Sequence, residues 1–110
     1  MSARLKRNLD FLRVLKKANT KQRKAILDTG SKDLILCLCE VIDNVLAGTV
    51  KLSSKQKKEL IKYKSILRKL IDKKVTIKAK RRLFIQKGGF LPAILGPALG
   101  LAATIIGQLI

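Results

Sequence analysis

Leu5, Leu9, Leu12 and Leu15 recur every three or four residues, with Phe11, Val14 and Ala18 widening the stripe. This spacing places them on one face of a helix over residues 3–18. Asn19-Thr20 closes that helix, and Thr20 is the expected N-cap of a short basic helix running to Thr29. Gly30 follows as a C′ stop and Ser31 as the next N-cap. The third helix, residues 32–47, is apolar nearly all round, from Leu34, Ile35, Leu36, Cys37 and Leu38 to Val41, Ile42, Val45 and Leu46. A helix with no polar face belongs at the centre of a fold. Gly48 ends it. A capping box, Ser53 with Gln56, opens a fourth helix in which Leu60, Tyr63, Leu67 and Leu70 step by three and four.

Residues 75–87, "VTIKAKRRLFIQK", alternate at first like a strand. No second strand exists for it to pair with, and Thr76 can cap a helix that Gly88 would stop. The expectation is therefore an all-α protein: a small basic bundle of about four helices over 1–74, a basic linker or helix over 75–87, and a hydrophobic tail over 88–110.

Charge sharpens that division. The chain holds 25 Lys/Arg against 7 Asp/Glu, a formal net charge of +18, and every cation lies between Arg4 and Lys87. Such an excess opposes compaction, so a polyanionic partner is the economical explanation. Matching it would take roughly 30 Å of duplex DNA at about one phosphate per 1.7 Å. The expected phosphate contacts are Lys55, Lys57, Lys58, Lys62, Arg68, Lys69, Lys73, Lys74, Lys78, Lys80, Arg81, Arg82 and Lys87. They imply binding blind to base sequence, because the third helix offers almost no polar groups to base edges.

Enzyme chemistry finds little to work with. There is no His, and the close acids Glu40 and Asp43 have no companion base or nucleophile. Cys37 and Cys39 point to opposite sides of a helix, which suits buried apolar packing better than a metal site. No catalytic residue, cofactor, metal or small-molecule substrate is expected.

The tail from Gly88 to Ile110 has no charged side chain. Pro92 and Pro97 suggest that its clean helical stretch starts near Pro97, giving ~21 Å of helix, short of a ~30 Å hydrocarbon core. Gly96, Gly100, Ala103 and Gly107 step by four, three and four, a stripe of small residues suited to close helix packing. Four fates are open: folding back to complete the bundle core, inserting in lipid, self-association, or docking inside a larger assembly.

The order Lys80-Arg81-Arg82, then Lys87-Gly88-Gly89-Phe90-Leu91-Pro92-Ala93, then a Gly/Ala/Leu/Ile tail, resembles the end of adenovirus precursor core protein X. It is similar also to the X-like proteins of adintoviruses and Maverick/Polinton elements. The likeness covers about residues 78–107. It implies a DNA-condensing core protein of the virion and host nucleus, with Lys78, Lys80, Arg81, Arg82 and Lys87 on phosphates. It further implies proteolytic cleavage between Gly89 and Phe90, in the Gly88-Gly89-Phe90 step. This chain departs at Gln86, where the family's protease prefers Met, Leu or Ile. The alternative expectation is a membrane-active or membrane-anchored basic protein at an intracellular membrane, its bundle on an anionic leaflet.

Overall fold

A computed structural model describes residues 2–99, and among them there are helices and no strand. The helices are α1 (Ala3–Arg7), α2 (Leu9–Lys17), α3 (Thr20–Thr29), α4 (Lys32–Leu46), α5 (Ser54–Ile61), α6 (Lys64–Ile71) and α7 (Ile77–Lys87). A 3₁₀ turn, Gly88–Phe90, leads into α8 over 91–99.

The all-α expectation holds, with α4 at its centre. Leu34, Ile35, Cys37, Leu38, Cys39, Val41, Ile42 and Val45 of that helix are buried. Its ends are chemically fixed: the Ser31 hydroxyl accepts from the Leu34 N–H, and Gly48 takes a left-handed φ of 82°. That conformation lets the Thr49 N–H reach the Asn44 carbonyl and the Gly48 N–H the Val45 carbonyl, a Schellman closure.

Two expected helices are each interrupted, one by a single residue and one by two. The 3–18 helix breaks at Asn8 and the fourth helix at Lys62-Tyr63, and Asn8 and Tyr63 share nearly the same backbone conformation (φ −104°, ψ 7° and φ −108°, ψ 10°). At Asn8 the cause is visible. Its buried amide nitrogen donates to the Arg4 carbonyl at 2.9 Å and to Asp33 Oδ2 at 2.8 Å. The cap of α3 also shifts by one: Asn19, not Thr20, accepts from the Gln22 N–H, and Gln22 returns the bond. Gly30 is not left-handed (φ −64°); glycine is needed there because a Cβ would lie 2.7 Å from Leu34 Cδ2 and 2.8 Å from the Ile26 carbonyl.

The expected basic helix after residue 75 is present as α7, capped by Thr76, and it packs on α3, α4 and α6, with Phe84 fully buried. The larger correction concerns Gly88, which is not a boundary of packing. Phe90, Leu91, Ile94, Leu95 and Leu99 join the same core cluster as the α4 side chains, and the Phe90 ring lies 5.6 Å from Tyr63 and 6.2 Å from Phe84, centroid to centroid. The composition change at Gly88-Gly89 marks where the chain turns inward. Helix α8 also starts at 91 rather than near Pro97. Pro92 sits in its first turn, where an N–H has no helical acceptor to lose.

Of the small-residue stripe, Gly96 is half-buried and a Cβ there would meet nothing within 4 Å; Gly100, Ala103 and Gly107 lie outside the described residues. Among the described residues no helix is long and apolar enough to cross a membrane.

Candidate nucleic-acid interface

The break between α5 and α6 creates a cationic concavity. The apolar residues Leu60, Leu67 and Leu70 point into the core. Tyr63 and Ile66 pack against that core as well, and Lys62, Lys64, Arg68 and Lys69 are left on the outer face. Where α5 ends and α6 begins, Lys62, Lys64, Ser65, Arg68 and Lys69 line a shallow groove of about 500 Å³, with Ile61 at its edge. All four cations are exposed. Among the described residues only Lys62 of these pairs with an acid, Glu59 at 3.4 Å, a solvent-exposed pair that contributes little. Lys64 and Ser65 were not among the expected contacts. Their place follows from the interruption at Tyr63, which helical periodicity does not reveal.

Lys55, Lys57, Lys58, Lys73, Lys74, Lys78, Arg82 and Lys87 are exposed as well. Lys57 belongs to a different concavity, an apolar cleft with Leu46, Leu60 and Ile61.

Two expected phosphate contacts are employed internally. Lys80 is 6 % exposed, and its charge acts on the buried Cys39 thiol, partly offsetting the upward pKa push of burial. Arg81 is half-buried, and its Nη1 donates to the carbonyls of Leu27 at 2.7 Å and Gly30 at 2.6 Å. It thereby satisfies carbonyls at the C-terminal end of α3 with a cation, the sign that a helix dipole favours there. Both residues face inward because α7 is enclosed by three helices, which leaves Lys78, Arg82 and Lys87 for solvent.

The shortest ion-pair distances among the described residues lie elsewhere. Asp33, in the first turn of α4, accepts from Arg4 Nε at 3.2 Å, Arg7 Nη2 at 3.1 Å and Asn8 Nδ2 at 2.8 Å. Hydrogen bonds from Arg7, then Asn8, hold its carboxyl down at about 2. This cluster ties the amino-terminal helix to the central one, so Arg4 and Arg7 serve the fold. The ion pairs of the described residues engage Arg4, Arg7, Arg13 and Lys62; the other Lys and Arg have no acidic partner among those residues.

Cys37 and Cys39 are buried free thiols. Burial, with Glu40 and Asp33 adding to it, pushes Cys37 up to about 12, so the nucleophilic thiolate is scarce. Among the described residues no group of three or more His, Cys, Asp or Glu could hold a metal ion. The Gly89–Phe90 bond sits in the 3₁₀ turn with Gly88 and the Phe90 ring buried. A protease that binds its substrate extended would first have to open that turn. Compared with family models, with curated proteins and with solved structures, the chain matches none.

Proposed function

We propose that this chain is a non-enzymatic protein that binds and condenses nucleic acid, double-stranded DNA in particular, through its phosphates and without reading sequence. The observation that carries this is the groove between α5 and α6, where Lys62, Lys64, Arg68 and Lys69 converge with a single weak acidic neighbour. Lysine supplies compact point charges and arginine a planar fork, both suited to phosphate oxygens, and the Ser65 hydroxyl can donate beside them. The long flexible stems bear on the backbone of a duplex, and the buried central helix α4 offers no polar face to the major groove. Exposed cations on α5, α6 and α7 extend the footprint beyond the groove. The likeness to adenovirus core protein X at residues 88–93 supports a place in the virion core of a virus or virus-derived element, acting in the host nucleus.

Fluorescence anisotropy with two unrelated duplexes of equal length tests the reading. Equal affinities are expected, with log Kd rising linearly with log salt. A preference for one duplex, binding insensitive to salt, or no binding at low salt contradicts it.

A further inference from the structure

A second surface has the opposite character. Leu12 and Leu15 of α2 face the core, yet Phe11 and Val14 on the same helix stand 53 % and 54 % exposed. One helical turn separates them, so they form a single apolar ridge. Val14 and Lys17 line two neighbouring grooves. One, about 530 Å³, runs from Leu9 to Gly96 and Leu99 at the end of α8; the other, about 510 Å³, runs over Ala18 to Ala25 and Ile26 of α3. Arg13, Lys16 and Lys17 rim this region. The chain passes from Leu99, in the wall of the first groove, into "GLAATIIGQLI", residues without a charged side chain.

We propose that this α2–α3–α8 face is a docking surface for an anionic lipid bilayer. An exposed aromatic and aliphatic ridge with cations around it is the arrangement that interfacial helices use: the ridge enters the acyl boundary while Lys and Arg stems keep their charge among headgroup phosphates. The cleft around Leu46 and Ile61 also exposes apolar side chains between Lys57 and Lys64, so exposure and charge alone do not separate the two surfaces. What singles out the α2 face is that the uncharged continuation of the chain departs from it. Nucleic acid would engage the α5–α6 groove, so the two activities belong to different side chains.

Vesicle flotation of the full chain tests this. The vesicles are phosphatidylcholine with and without phosphatidylserine, and the variants F11S/V14S and L46S/I61S change no charge. The wild type is expected to float with the phosphatidylserine vesicles and poorly with phosphatidylcholine alone. F11S/V14S should lose about tenfold in partitioning as apolar contact with the bilayer is removed, with duplex affinity and thermal unfolding unchanged, whereas L46S/I61S floats like the wild type. Failure of the wild type to float, or equal flotation of F11S/V14S, overturns the proposal. So does a dimer in sedimentation velocity that F11S/V14S dissociates without change in flotation, since the ridge would then bind a second copy.

Discussion

Helices α5–α6 and helix α7 are alike in composition and opposite in use. Both are rich in Lys and Arg, and the run Lys78-Ala79-Lys80-Arg81-Arg82 is the denser of the two. Yet α7 lies against α3, α4 and α6, so Lys80 and Arg81 turn inward, to the Cys39 neighbourhood and to the carbonyls at the end of α3. Helices α5 and α6 instead leave Lys62, Lys64, Arg68 and Lys69 in one open groove. Local density of cations is therefore a poor guide to charge available for a partner. The number of neighbours a helix has decides how much of its charge reaches solvent.

The largest effect should come from the apolar segment that holds α7 in place. Phe90→Ala removes a buried ring from between Tyr63 and Phe84 and should cost about 3–5 kcal/mol. Urea unfolding measures it; a midpoint equal to that of the wild type would mean that the chain after Gly88 stands apart from the bundle. Arg81→Ala should cost about 1–3 kcal/mol by stranding two carbonyls, whereas exposed Arg82→Ala should leave stability unchanged and weaken duplex binding. Equal effects of the two on stability would erase the distinction drawn between the faces of α7.

Smaller still is the acid response of the Asp33 cluster. The carboxyl is held at about 2 in the fold, below its ordinary 3.8, so its contribution is complete above the ordinary value and fades as pH falls toward 2. Asp33→Asn should flatten the stability–pH curve within that window and leave it unaltered near neutrality in slope. A variant whose acid limb matches the wild type would show that Arg4, Arg7 and Asn8 do not govern this titration.

Much of the fold is legible in the sequence, because apolar periodicity and caps are local signals. Ser31, Ser53 with Gln56, Thr76 and Gly48 mark helix ends that the structure reproduces. The interruptions at Asn8 and Tyr63 are not legible. At Asn8 the cause is tertiary, an amide answering Asp33 from 25 positions away. The inward use of Lys80 and Arg81 is hidden for the same kind of reason, since Arg81 bonds carbonyls 51 and 54 positions distant. The change of composition at Gly88-Gly89 misleads about packing. An uncharged segment suits a bundle core as well as a lipid phase, and composition cannot choose between them.

The central claim is that the phosphate-binding charge sits in the α5–α6 groove. The direct measurement is the slope of log Kd against log salt for duplex DNA, for the wild type, K62Q/K64Q/R68Q/K69Q, and a control carrying K16Q/K17Q/K21Q/K24Q. Four lost phosphate contacts at ~0.9 each should flatten the slope of the groove variant by about 3–4, while the control changes it by less than half as much. Equal slopes for the two variants would contradict the account, placing the bound polyanion on no particular face of the protein.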